Sequence, residues 1–185
     1  MKKARIIITF DCKRNCSYCC NKYESMKALM IPTKSLTKFF DYDEVILTGG
    51  EPFLHTDKLI KIIDFLKHNS KNQNQKIFLY TAQPIFGFKL KRVLRMIDGI
   101  HYTLHDNSNP KDLAEFYQFQ KEILGKEGKS FRLYISPELK YPVTIQPQVW
   151  TRVELKPWIP EGQNCLPKDE ELYYLKDEND NIYRM

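Results

Sequence analysis

At 185 residues, with 42% hydrophobic and 28% charged side chains, the chain has the size and balance of one globular domain built on a single core. No apolar run approaches the ~20 residues that span a bilayer. The longest near the N-terminus, Arg5-Ile6-Ile7-Ile8-Thr9-Phe10, is strand-length and too short for a secretory signal, so no membrane association and a cytoplasmic location are expected. The formal net charge of +6 favours phosphates or anionic surfaces, yet no Lys/Arg block exceeds two residues. A solvated basic surface accounts for it as well as a nucleic-acid footprint does.

In chain order, the β-branched run Ile6-Ile7-Ile8, within residues 5–10, predicts a buried strand, and a cysteine-rich loop follows at once. Pro32-Thr33 as a start signal, with Leu36, Phe39 and Phe40 as an apolar face, predicts a helix over 33–40. Glu44-Val45-Ile46-Leu47-Thr48 reads as a second strand, halted by Gly49-Gly50. Leu59, Ile62, Ile63 and Leu66 recur at helical spacing within 56–68. A third strand at 77–81 is followed by a helix marked by Leu90, Val93, Leu94 and Ile97 and ended by Gly99. A fourth strand at 100–104, a helix at 110–124 and a fifth strand at 131–135 continue the alternation. Residues 137–148 are punctuated by proline, and 152–155 supply a sixth strand. The tail, 157–185, reads as a terminal hairpin: Leu172-Tyr173-Tyr174-Leu175, a polar turn over 177–181, then Ile182-Tyr183-Arg184.

Strands alternating with helices imply βαβ units on a parallel sheet, and the absence of a linker or repeat implies one domain over 1–185. A full eight-fold barrel usually takes ~250 residues. The expected fold is therefore α/β, an incomplete (β/α)6 TIM-like barrel. Sites in such sheets lie at the C-terminal strand ends, where the cysteine loop and the Gly-Gly turn both fall.

Four of the five cysteines lie between Cys12 and Cys20, which is clustering for metal ligation rather than a disulfide framework. Cys12, Cys16 and Cys19 have C-x3-C-x2-C spacing. Three thiolates in one loop can hold three irons of a [4Fe–4S] cubane and leave the fourth open. The competing reading is structural zinc, which wants four ligands, usually in two separated pairs. No second pair exists, because Cys165 is alone and the side chain of Cys20, directly after Cys19, tends to point elsewhere.

The loop resembles the radical S-adenosylmethionine (SAM) signature C-x3-C-x-φ-C, with Tyr18 at the aromatic position, and Gly49-Gly50-Glu51-Pro52 resembles the GGEP motif of that family. The resemblance implies that SAM chelates the open iron and is cleaved reductively to a radical that abstracts a substrate hydrogen. It places the SAM ammonium near Gly49 and Gly50 with the charge of Glu51 beside it. It assigns further SAM contacts to Tyr18 and to the strand ends at Thr81 and Gln83, Thr103 and His105, and Ser136.

His105 and Glu154 are the candidates for a catalytic role, and Lys156 alternates onto the same strand face as Glu154. Each has a plainer alternative, as a loop histidine or the outward face of a strand. Trp150 and Trp158 are expected as core or lid packing, and His55, His68 and His101 carry no partner pattern. The size and basic balance favour a nucleobase, nucleoside or related small anionic substrate. The alternatives are a glycyl-radical-enzyme activase, a peptide-modifying enzyme, or a non-enzymatic zinc-binding nucleic-acid-binding domain. The resemblance also implies a flavodoxin or ferredoxin as electron donor, and the open flanks of a short barrel would be closed by a homodimer or a lid.

Overall fold

In the computed structural model the described residues are 1–14, 16, 18–105, 109–160, 162–163 and 166–176. Strand β1 (Lys3–Thr9) carries the isoleucine run and is buried on both faces. The cysteine loop, a short helix α1 (Glu24–Lys27) and a three-residue strand β2 (Ile31–Thr33) follow. The helix expected over 33–40 is a single 3-10 turn, Leu36–Phe39, capped by the Ser35 side chain on the Thr37 amide. One turn suffices to bury Phe39, and the chain must then straighten to place Tyr42 in the core ahead of the next strand.

Beyond it the expected alternation holds. It runs β3 (Glu44–Gly49), α2 (Thr56–Asn69), β4 (Lys76–Thr81), α3 (Gly87–Met96), β5 (Gly99–Leu104), α4 (Pro110–Ile123), β6 (Ser130–Ile135), β7 (Arg152–Leu155) and β8 (Glu170–Leu175). Helix α4 starts where Asn109 accepts from the Lys111 amide and Pro110 supplies a preset φ at the first helical position. Leu59, Ile63 and Leu66 of α2, Leu90 and Val93 of α3, and Phe116 and Phe119 of α4 bury against one face of the sheet. Each such side chain contributes about 1.5–3 kcal/mol relative to exposure.

All eight strands are parallel, in the order β2-β8-β1-β3-β4-β5-β6-β7. The six anticipated strands stand in spatial sequence, and among the described residues the sheet is open, with β2 and β7 as its edges. Strand β2 escapes pattern reading because it is three residues long and contains Pro32, a residue that sheets confine to edges. The stretch expected as the first limb of a hairpin is β8, which pairs in parallel with both β1 and β2. The second limb and Cys165 lie outside the described residues.

Tyr23 and Met26 cover Ile7 of β1 and Leu172 of β8, on the face away from α2–α4. The connection leaving β1 thus runs along one face to the left edge, whereas those from β3 onward run along the other towards β7. That reversal makes a topological switch point between β1 and β3, where open α/β sheets form a crevice beyond the carboxyl strand ends. No described helix is long and apolar enough to cross a membrane.

Candidate metal centre and rim cavity

The exits of β1 and β3 are laid directly on each other. The Gly50 amide donates to the Thr9 carbonyl at 2.8 Å and the Glu51 amide to the Asp11 carbonyl at 2.7 Å. A Cβ on Gly49 would stand 2.1 Å from the Thr9 oxygen, and one on Gly50 2.2 Å from the Asp11 oxygen. Both glycines are required because the partner at each is main chain. The Asn21 side chain closes the contact by donating to the Gly49 carbonyl at 2.8 Å. His55, which has no pattern in the sequence, holds the Asp11 carboxylate at 2.7 Å, one residue before Cys12. The stem of the cysteine loop is therefore fixed by the Gly-Gly turn and by the 3-10 turn Pro52–His55 that follows it.

Cys12 is exposed, Cys16 and Cys19 are half-buried, and all three are free thiols. Burial pushes the Cys16 thiol up, the Arg14 guanidinium pulls it back, and the neighbouring sulfurs of Cys19 and Cys12 raise it further. Burial likewise raises Cys19. The Cys16 sulfur thus feels those of Cys12 and Cys19, as Cys19 feels that of Cys20, and a bound cation would reverse these shifts by favouring the thiolates. Among the described residues no three metal-ligating side chains are gathered into a finished site. The donor set itself, three unoxidised thiols on one loop, fits an iron–sulfur cluster that has three protein ligands. Cys20 turns away to the small apolar cluster around Ile7, Met26 and Leu172.

Glu51 is 1% exposed, and its carboxylate accepts from Thr81 Oγ1 at 2.7 Å, the Ala82 and Gln83 amides at 3.0 Å each, and the Phe53 amide at 3.2 Å. Burial pushes it up to about 7 against the pull of these four donors. Glu51 therefore ties the end of β3 to the end of β4, and the Thr81 hydroxyl is engaged there. Glu51→Gln turns an amide donor towards backbone N–H groups, and is expected to lower stability by about 2–4 kcal/mol. Urea unfolding will show this as a lower midpoint with unchanged slope.

Three rings stack across the rim. The Tyr18 and Trp158 ring centres are 3.7 Å apart, and those of Trp158 and His105 are 4.5 Å apart with planes at 17°. His105 Nδ1 and Trp158 Nε1 are buried without a hydrogen-bond partner. Burial, aided by Arg14, pushes the His105 imidazole down to about 4. Arg14 also pairs with Asp112 of α4 at 2.9 Å, so the cysteine loop is tied across to the fourth helix.

Against Tyr18 and His105, but not Trp158, lies a cavity of about 690 Å³ whose lining also includes Cys16, Glu51, Gln83 and Asp112. That size suits a nucleotide-sized ligand. Of the other residues expected here, Pro52 is buried at the start of the 3-10 turn, and Thr103 stands on β5 in register with Tyr134 of β6. The Ser136 hydroxyl accepts from the Glu138 amide, and Glu154 pairs with Arg152. Thr103, Ser136 and Glu154 are not among the lining residues. Trp158 is the rim residue whose position the sequence hides. It lies three residues past β7, and only the sheet brings that exit to the exit of β1.

The family model described as "4Fe-4S single cluster domain" matches residues 4–111, from β1 to the first turn of α4. No curated protein matches the chain.

Proposed function

Because the chain belongs to the 4Fe-4S single cluster domain family, we propose that it is a radical SAM enzyme working on a small, anionic, nucleobase- or nucleoside-like substrate. Cys12, Cys16 and Cys19 would hold the cluster. When bound, the cluster supplies one electron to the SAM sulfonium, which separates as methionine and a 5′-deoxyadenosyl radical able to take hydrogen from a substrate. The supporting observation is the crossing of the two strand exits. Gly49 and Gly50 pack the β3 end onto the stem of a three-thiol loop, beside a 690 Å³ cavity.

The residues of this chain then divide the work. Glu51 keeps the β3 and β4 ends together, and Tyr18, Trp158 and His105 exclude water from one wall with stacked rings. His105 and Tyr18 also line the cavity, where their rings would meet a purine or ribose. The six sequential strands support reading the sheet as an incomplete barrel, and 157–185 as a tail of the same domain. A cytoplasmic flavodoxin or ferredoxin is the electron donor this reading calls for.

Anaerobic reconstitution with iron and sulfide, followed by reduction in the presence of SAM, tests the proposal. Formation of 5′-deoxyadenosine and methionine in equal amounts is expected. Tightly bound zinc with neither product would overturn it.

A further inference from the structure

Strand alternation turns a second set of side chains onto the face away from α2–α4. Glu170 of β8, Arg5 of β1, Tyr80 of β4, His101 of β5 and Tyr134 of β6 lie on it in strand order, with β3 between Arg5 and Tyr80 and Lys156 directly after β7. Arg5 is bonded to Glu170 at 2.6 Å and lies 4.8 Å from the centre of the Tyr80 ring. The Lys156 ammonium lies 4.7 Å from the centre of the Tyr134 ring. Tyr80, Tyr134 and Lys156 all stand at C-terminal strand ends, on the same rim as the cysteine loop.

His101 is the anomaly on this face. It is 2% exposed, and its ring is 4.4 Å from Tyr80, 5.4 Å from Phe78 and 5.9 Å from Tyr134. Neither ring nitrogen has a hydrogen-bond partner. Phenylalanine would suit these aromatic neighbours, whereas histidine leaves a donor and an acceptor dehydrated and unused. Burial, with the charges of Arg132, Arg5 and Lys156, holds the imidazole down to about 3, so it is a neutral donor and acceptor at physiological pH.

The surrounding charge is positive and incompletely matched. Arg5 is taken by Glu170, Arg132 acts on Glu44, and Glu154 is paired with Arg152. Among the described residues Lys156 has no carboxylate within ion-pair distance. The unmatched cation therefore sits at the rim end of the face that also holds the unpartnered imidazole, with Tyr134 of β6 between them in strand order. Tyr80 and Tyr134, with ring planes 19° apart, both contact His101, and each has a cation over one face, Arg5 on Tyr80 and Lys156 on Tyr134.

We propose that His101, Tyr80, Tyr134 and Lys156 form a subsite for a small molecule that carries a carboxylate or phosphate together with a planar ring. Its role as the substrate subsite rests on the radical SAM reading, whereas the binding itself does not. The ammonium of Lys156 and the imidazole N–H of His101 receive the anion, and the tyrosine faces that the two cations leave uncovered receive the ring.

Calorimetry on the anaerobically reconstituted protein without SAM tests the subsite, using guanosine 5′-monophosphate and orotate against their neutral counterparts guanosine and uracil. At least one anion is expected to bind at least about tenfold more tightly than its counterpart, and Lys156→Ala and His101→Phe should each weaken it about tenfold or more. The stronger anion tells phosphate from carboxylate. His101→Phe fits its apolar neighbours, and circular dichroism checks that it folds. Absence of binding by both anions, equal binding of charged and neutral rings, or affinity unchanged in either variant would overturn the proposal. The radical SAM reading is judged separately, by 5′-deoxyadenosine formation in the unaltered protein, which needs no substrate.

Discussion

Replacing Cys12, Cys16 or Cys19 singly by alanine will cut 5′-deoxyadenosine formation by at least about 100-fold and lower the iron retained after reconstitution. The three thiols are on one loop, uncommitted to disulfides, and no further cysteine of that loop faces the same way. Cys20→Ala separates ligation from mere thiol content. Its side chain packs with Ile7, Met26 and Leu172, so the variant should keep its iron and its activity and lose only a little packing. Equal loss in Cys20→Ala and Cys16→Ala would contradict the assignment. Iron content and product yield, measured on the same samples, decide it.

Gly50→Ala is expected to be the most damaging substitution outside the cysteines. Its Cβ would lie 2.2 Å from the Asp11 oxygen and 2.6 Å from the Phe10 oxygen, and main chain on both sides cannot move aside as a flexible side chain can. Either the Gly-Gly turn or the cysteine-loop stem must shift, and Asp11 immediately precedes Cys12. A stability loss of about 3 kcal/mol or more is expected from the clash, with product yield down by about 100-fold because the loop is displaced. Gly125→Ala is the control. That glycine has a positive φ, 72°, which Gly50 does not, but a Cβ there meets nothing within 4 Å. It should cost only about 1 kcal/mol in backbone strain and leave the product yield unchanged. Chemical unfolding and the product assay, run on both variants, separate local strain from loss of the site.

Much of this architecture was legible in the residues, because β-branched runs such as Ile6-Ile7-Ile8 and amphipathic spacing such as Leu59, Ile62, Ile63 and Leu66 are local signals. Six strands and three long helices follow from them within a few residues. What was not legible depends on partners distant in the chain. Strand β8 has a readable pattern, but nothing local tells that it lies between β1 and β2. The helix expected over 33–40 shrinks to one turn because Tyr42 has to reach the core before β3 begins.

The same holds at the site. The C-x3-C-x2-C loop and the Gly-Gly turn are contiguous motifs and could be read directly. The resemblance places the charge of Glu51 beside a SAM ammonium, whereas the structure has its carboxylate accepting from Thr81, Ala82, Gln83 and Phe53. Those donors come from two different strand exits, which no spacing rule connects. Trp158 reads only as core or lid packing, and His101 carries no partner pattern, for a similar reason. A tryptophan or a histidine in an apolar stretch looks like packing until its neighbours across the sheet are known.

With Cys12, Cys16 and Cys19 as its protein ligands, the proposed cluster keeps one iron for SAM to occupy. Electron–nuclear double resonance on the reduced protein, with SAM isotopically labelled at its carboxylate and amino groups, probes that iron directly. Hyperfine coupling from both labels is predicted, and it should vanish when labelled SAM is replaced by unlabelled SAM. A spectrum identical with and without labelled SAM, from protein shown to contain the reduced cluster, would contradict the account.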